Sequence, residues 1–506
     1  MSSTSYRTSI SELGGGRITI LLLLFALALY QFYSAGFGAF AMICMLPVLV
    51  IGLIISFRHR MFLFWSLVMV NFILQWKDSP LPSSIPMSLY NEAFEIMLIL
   101  MAIIDVKDTK FDASLNIMFG ALIIWCSFVI LQLINDTCNM AWDFASWFAG
   151  ARLMAFQLVY AFIVFTIYIN NSERLLKYLF LWGALSLFAV LWIWKQKNIG
   201  FSANERYFYQ DSTTHVLNGG TLIRYISTFS DAANAGIYMA CTSVCFLIFG
   251  LTAKIRKYKI IFLIIAAACL WGMFPTGTRT AIFCLLGGLG VYTILSKSFK
   301  LTVIIGIAGI LLYLFLAFTT IGQGNGMIRR MRSAFDPNDV SAGARKANQE
   351  VMKKYMKDAP FGIGVGLRSG DVSDNHKYYV MSVMPPDSEY IYIWIHTGIV
   401  GIVIFVLTTA MIFLGASRIV MFKLTSSSLR GIGGGLTCAF LAVHLGAYAN
   451  QILMQFPNCF VFYGAISLVY TLPYIEKNWI EHENRLLAIQ EEKKRFKKEK
   501  KLAQRI

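Results

Sequence analysis

The sequence predicts an all-α polytopic membrane protein with about fourteen transmembrane helices and one large helical outer loop. Three observations predict it. The chain is 57% hydrophobic and only 14% charged, whereas soluble domains carry about a quarter charged residues. Its apolar runs are continuous rather than alternating, which excludes a transmembrane β-barrel. Its short basic connections all fall on one side of the membrane when the runs are counted as crossings.

Taken in order, the runs place spans near 18–33, 39–57, 61–75, 89–104, 114–134, 151–170, 178–195, 232–251, 260–274, 281–295, 301–320, 389–415, 431–449 and 458–474. Several are shorter than the roughly 20 residues a helix needs to cross, so one pair could be re-entrant or broken. Arg7 and Arg17 precede the first run, and Ala26-Leu27-Ala28 offers a faint cleavage-like triplet. A second long run follows at once, so an uncleaved first helix is expected.

An even count puts both termini on the same side. That side receives Arg58 and Arg60; Lys107 and Lys110; Arg174 and Lys177; Lys254, Arg256, Lys257 and Lys259; Lys297 and Lys300; and Arg418, Lys423 and Arg430. It also receives the tail run from Lys493 to Lys501. The positive-inside rule makes it cytoplasmic. The net charge of +17 is thereby a topology signal, and no nucleic-acid partner is expected. The tail from Glu476 reads as a solvated helix near anionic lipid.

The expected organisation is four pieces. Residues 1–320 hold helices 1–11, with a smaller outer loop at 196–231. Residues 321–388 form the large outer loop. Residues 389–474 hold helices 12–14, and 475–506 form the basic cytoplasmic tail. In the large loop, Ser341 can cap a helix through about Lys357, with Ala344, Ala347, Val351 and Tyr355 on one face and Pro360 as its stop. Phe361-Gly362-Ile363-Gly364-Val365-Gly366 then follows a helix rather than a strand. It reads as a tight backbone turn and not as a dinucleotide fingerprint.

Nine cysteines are present, most of them inside apolar runs where they act as small hydrophobes. Only Cys138 and Cys459 lie near outer span ends, and nothing supports a bridge between them. No Cys or His spacing suits a metal, so neither metal nor cofactor is expected. His396 and His444 read as hydrogen-bonded packing residues within spans, and His376 has no evident partner.

Candidate chemistry gathers at the outer face. Arg152, Arg224 and Arg279 open spans there, and guanidinium groups at that depth are expensive. Each taken alone reads equally well as a snorkelling side chain. Two of them stand in turns rich in Gly, Ser and Thr, which offer N–H groups and hydroxyls beside a cation, as phosphate or pyrophosphate requires. Arg345 on the loop helix is a fourth candidate, though a solvated helix charge is the simpler reading. Asp387 and Glu389, at the mouth of the twelfth span, are candidate general bases. Their simpler reading is capping and first-turn charge. Glu95, inside the fourth span, is expected to pair with a buried arginine.

These residues carry a resemblance. Arg224 through Ala233 looks like an arginine-led turn ahead of a span. Gly277-Thr278-Arg279-Thr280-Ala281, the run from Arg345 to Pro360-Phe361-Gly362-Ile363-Gly364, and Asp387 to Gly401 follow in order. Together, over roughly residues 150–420, they resemble the O-antigen ligase and Wzy-type polymerase superfamily of bacterial envelopes. The resemblance implies a GT-C-like membrane fold in the bacterial inner membrane, with its site at the outer leaflet. It implies en bloc transfer of a glycan from an undecaprenyl-pyrophosphate donor, without nucleotide or metal. The acceptor is lipid A-core in ligases and another lipid-linked repeat unit in polymerases. A chain-length regulator is a further partner to consider. Carried over, Arg224 and Arg279 bind the pyrophosphate, Arg345 and Arg152 support them, and Arg279, Asp387 and Glu389 are the catalytic candidates.

Ligases of this superfamily carry a histidine where this chain has Asp387 or a neighbour, which tilts the reading toward a polymerase. Two readings from other classes stay open. One is a lipid-linked oligosaccharide flippase or transporter, opposed by the lack of an internal repeat or mid-membrane charge. The other is a structural membrane protein, which would have no use for the arginine turns.

Overall fold

The structure is a computed structural model of the chain. It describes residues 58–503 apart from 82–85, 108–110, 139–143, 211, 213, 218–221, 336–339 and 369–370, together with isolated positions before residue 58. The expected spans at 18–33 and 39–57 lie almost entirely outside the described residues. The chain divides into compact units of residues 1–65 and 66–506. In the first, the rings of Phe64 and Trp65 meet edge to face at 5.0 Å.

The chain is mostly helical. Its apolar helices are α1 (Arg60–Ile73), α2 (Met87–Ile104), α3 (Ile117–Leu131), α4 (Phe144–Ala151) continuing through a π turn into α5 (Gln157–Tyr168), and α6 (Ser172–Asn198). A short helix α7 (Ala203–Gln210) and a two-stranded hairpin, β1 (Val216–Leu217) with β2 (Leu222–Ile223), lead into α8 (Ala232–Thr252). Then come α9 (Arg256–Met273), α10 (Thr280–Ser296) and α11 (Phe299–Phe318). The loop holds α12 (Gly326–Arg332), α13 (Val340–Met356) and α14 (Tyr379–Val383), and the chain closes with α15 (Glu389–Arg418), α16 (Ser427–Ala447) and α17 (Asn458–Ala503). Among the described residues, nine helical stretches are long and apolar enough to cross a membrane, and three shorter apolar helices accompany them. They fall on the expected spans from 61–75 onward.

Helix starts follow side-chain chemistry. Asn116, Asn171, Asp231 and Ser426 each accept backbone N–H bonds at the heads of α3, α6, α8 and α16, each cap contributing about 1 kcal/mol. The spans of α8, α16 and α17 are the most enclosed. Lipid gives helices no hydrophobic reason to pair, so close backbone approach must do it. Gly435 on α16 accordingly sits against the Phe249 ring and the Cys245 carbonyl, and Gly446 against Ile237 and Cys284. Tyr238 adds a polar tie, its hydroxyl meeting Trp182 Nε1 at 2.8 Å and Ser186 Oγ at 2.7 Å.

At one end of the bundle α17 carries on past its span for a total of 46 residues, about 69 Å at 1.5 Å per residue. The tail was expected to be solvated from Glu476; its first turns are docked instead. Glu476 accepts from the amides of Thr425 and Ser426, and Asn478 accepts from Ser172. Trp479 donates to Ser428, and Glu483 pairs with Lys254 at 2.7 Å. Connections that the charge pattern assigned to one side therefore meet at one end.

In the loop, α13 starts at Val340, ahead of Ser341. Among its described side chains the buried ones are Met352 and Met356, flanked by Val351 and Tyr355, while Ala347 is exposed. Ala347, at least, stands off the apolar face that the spacing suggested. Cys138 joins this small core, and both it and Cys459 are free thiols. The glycine run then closes a break in α15. Gly398, at φ 69° and ψ −172°, interrupts the helix. Ile363 N donates to Ile395 O at 2.9 Å, Val400 N to Pro360 O at 3.2 Å, and His396 Nδ1 to Gly364 O at 2.8 Å. Gly362, at φ +81°, lies so close to the His396–Gly398 backbone that a Cβ would collide with it.

Candidate active site

Arg224 follows β2, and its turn is fixed from both sides. The Tyr209 hydroxyl donates to Arg224 O at 2.9 Å and accepts from Ile226 N at 3.1 Å. The Arg224 amide donates to His215 O at 2.9 Å. The guanidinium is held by neutral oxygens: Nε donates to Thr276 O at 3.2 Å, Nη1 to Thr214 O at 3.0 Å, and Nη2 to Thr278 Oγ1 at 3.3 Å. Burial holds Arg224 below its ordinary pKa; Asp231 opposes this, while Arg279 and Arg345 add repulsion.

The turn after α9 shapes the rest. Gly277 stands at φ +59°, and a Cβ there would press on the stems of Arg330 and Arg224. Arg330 Nε donates to Gly277 O at 2.7 Å. Arg279 heads α10, and its Nη1 donates to Ser333 Oγ at 3.0 Å. The structure thus brings Arg279 and Arg345 within electrostatic reach of Arg224 and adds Arg330, which the sequence reading passed over. The run Arg329-Arg330-Met331-Arg332 stands in the large loop, where a charge on a helix reads as solvated. Lys77 was also missed. It donates to Ser230 O at 3.3 Å and lies 4.1 Å over the Phe208 ring.

Beside this cluster opens a cavity of about 660 Å³ with a mostly apolar wall, including Leu222, Trp271, Pro275, Phe315 and Met331. Pro275 lies two residues from Gly277, and Met331 is next to Arg330.

Arg152 is engaged elsewhere. It sits in the π turn between α4 and α5, pairs with Glu92 at 3.4 Å and donates to Ser88 Oγ at 3.0 Å. The expected arginine partner of Glu95 is therefore corrected: Arg152 takes Glu92, one turn earlier. Glu95 instead accepts from Asn91 at 2.7 Å and Gln157 at 2.9 Å.

The two acids at the head of α15 differ. Asp387 is exposed, at φ +53°. Ser388 is the N-cap residue, but its hydroxyl donates to Ala447 O at 3.2 Å and leaves the helix uncapped. Glu389 is buried and does more than favour its first turn: it accepts from Leu453 N at 2.8 Å and from the amides of Ile452 and Met454. It also borders a second cavity, of about 420 Å³, together with Ser88 and Leu153. One segment links the two places. Asn450 Nδ2 donates to Thr280 Oγ1 at 3.1 Å, beside Arg279, and Phe456 O accepts from Asn234 Nδ2 at 3.1 Å.

The histidines do not form a site. His396 and His444 are buried and bonded to carbonyls. His376 accepts from Tyr378 N at 3.2 Å. His215 Nε2 accepts from Ala232 N at 3.2 Å, and burial, with Arg224 next, pushes its pKa down to about 4. Among the described residues, no three His, Cys, Asp or Glu side chains gather as metal ligands would.

The chain is a multi-pass α-helical membrane protein with arginines gathered beside an apolar cavity. Residues 264–406 match the family model of O-antigen ligase, a stretch that includes Arg279, Arg330, Arg345, the glycine turn and Asp387 to Gly401. The match over this stretch supports a relation to the O-antigen ligase and polymerase superfamily, whose members are membrane glycosyltransferase-like enzymes of surface polysaccharide synthesis. No curated protein matches the chain.

Proposed function

We propose that this protein transfers a glycan en bloc from an undecaprenyl-pyrophosphate carrier and so polymerises surface polysaccharide repeat units. The observation that carries the reading is the arginine cluster at the edge of a large apolar cavity: it suits a ligand with a pyrophosphate head and a long hydrocarbon tail. Arg224, Arg279 and Arg330, with Arg345 from the loop helix, hold the pyrophosphate and stabilise the charge it gains as a leaving group. The polyprenyl tail enters the 660 Å³ cavity. Asp387, exposed and without a hydrogen bond to a described residue, stands where ligases carry histidine and accepts the proton of the acceptor hydroxyl. That hydroxyl oxygen bonds to the anomeric carbon, the bond to pyrophosphate breaks, and the carrier leaves as undecaprenyl pyrophosphate.

The fold in this reading is GT-C-like with about fourteen spans, in the bacterial inner membrane, with 321–388 periplasmic and both termini cytoplasmic. The alternatives are a ligase that delivers the glycan to lipid A-core, and a flippase. A deletion strain separates them. Single repeat units on the carrier, with a one-unit ladder at the surface, mark a polymerase. Long chains stranded on the carrier mark a ligase. A single unit held at the cytoplasmic face marks a flippase and overturns the proposal.

A further inference from the structure

We infer that the 420 Å³ cavity beside Glu389 is a carbohydrate subsite that takes an uncharged, hydroxyl-rich sugar, the acceptor end of the transfer; this rests on the transferase reading. Its size falls within the range of small-molecule sites. Its wall offers three side-chain amides, Gln75, Gln451 and Gln455, plus the Ser88 hydroxyl, the Glu389 carboxylate and the Tyr392 ring. The three amides make no side-chain hydrogen bond to another described residue, so their donors and acceptors are available. An amide can give and accept at once, which is what a sugar hydroxyl asks of its partner.

The wall is also preorganised. Three backbone amides fix the Glu389 carboxylate, and the Tyr392 ring packs on His396 at 4.3 Å between centroids. Met87, Met454 and Phe456 supply apolar surface for the C–H face of a sugar ring. Charge sets the specificity. Among the described residues the lining holds no Lys or Arg, and Arg152, behind Ser88, already pairs with Glu92. With no cation among the described lining residues to pair with it, a phosphate gains nothing there over a neutral hydroxyl. The segment 450–456 braces this cavity against Thr280, next to Arg279, so one strut sets the acceptor site relative to the cationic site.

The test uses the purified full-length protein in detergent. Saturation-transfer NMR follows N-acetylglucosamine, methyl glucoside, maltose and glucose 6-phosphate, and phosphorus line broadening follows inorganic pyrophosphate. At least one neutral sugar is expected to receive saturation, and glucose 6-phosphate no more. Gln451→Leu and Gln455→Leu should each weaken the sugar about tenfold, as loss of one or two hydrogen bonds implies, and leave pyrophosphate binding unchanged. Glu389→Gln keeps the volume and should also weaken it. Arg279→Ala should do the reverse, losing pyrophosphate and keeping the sugar. The inference is overturned if no neutral sugar binds, if both glutamine variants bind as wild type does, or if glucose 6-phosphate binds better than its neutral counterparts. Pyrophosphate binding that survives Arg279→Ala, with the sugar still lost in the glutamine variants, would remove the donor assignment and leave the subsite standing.

Discussion

Arg152 and Arg224 look alike in sequence, each preceding or opening a span, yet they are held in opposite ways. Arg152 is paired with Glu92 in a buried ion pair whose side chains are 12% and 6% exposed. Arg224 is held by two backbone carbonyls and a threonine hydroxyl. A carboxylate neutralises a guanidinium, whereas carbonyls fix its geometry and leave its charge for a ligand. Position alone therefore does not separate the two arginines; their partners do.

The largest expected effect breaks the binding side of this comparison. Arg279→Ala and Arg224→Ala should each lower transfer by about a hundredfold or more, the scale set by loss of one preorganised charge-stabilising group. The proteins should insert and melt much as wild type does. Arg152→Ala should behave differently. Removing one partner of a buried pair costs about 3–5 kcal/mol, so the effect should appear as lost expression and a lower Tm. The double variant Arg152→Met, Glu92→Gln should recover much of that loss. No recovery would mean that Arg152 serves the ligand as well.

A middle-sized effect concerns the loop. Gly398→Ala places a Cβ against the Pro360 carbonyl at a φ only glycine adopts freely. It should cost about 1–3 kcal/mol in stability and loosen the 360–366 turn, read as faster backbone hydrogen exchange there. Asp387→Asn should lower transfer more than His396→Ala, in assays normalised to folded protein. The reverse order would return the base role to a histidine.

The smallest effect is a pH dependence. His215 has a folded pKa of about 4 against an ordinary 6.5. A depressed histidine binds its proton more readily when unfolded. Its contribution to stability is thus complete above the ordinary value and declines as pH falls from there toward about 4. His215→Gln should flatten the fall in Tm over that window; an unchanged fall would place the titration elsewhere.

Most of the helix pattern was legible because lipid demands long apolar runs and the cytoplasmic side demands lysine and arginine. Arg224 and Arg279 stood out as candidates because turns rich in Gly, Ser and Thr announce backbone available to an anion, whereas Arg345, on the loop helix, read more simply as a solvated charge. Arg330 did not stand out, because a charge on a loop helix looks solvated until Gly277 is seen beneath it. Glu92 and Glu95 are one turn apart, and only the structure shows that Arg152, in its π turn, meets Glu92. The buried role of Glu389 depends on amides 63 to 65 residues away in sequence, at Ile452, Leu453 and Met454, which no local pattern reveals. The docking of the tail at Glu476 to Glu483 was hidden likewise, since a charged helix reads as solvated whether or not its partners exist.

The most direct measurement is transfer by purified, reconstituted protein supplied with its undecaprenyl-pyrophosphate-linked repeat unit. Wild-type protein should lengthen the glycan and release undecaprenyl pyrophosphate in step with each linkage formed. Folded Arg279→Ala protein should do neither, while folded Arg152→Met, Glu92→Gln protein should retain most of the activity. Full transfer by Arg279→Ala would contradict the account.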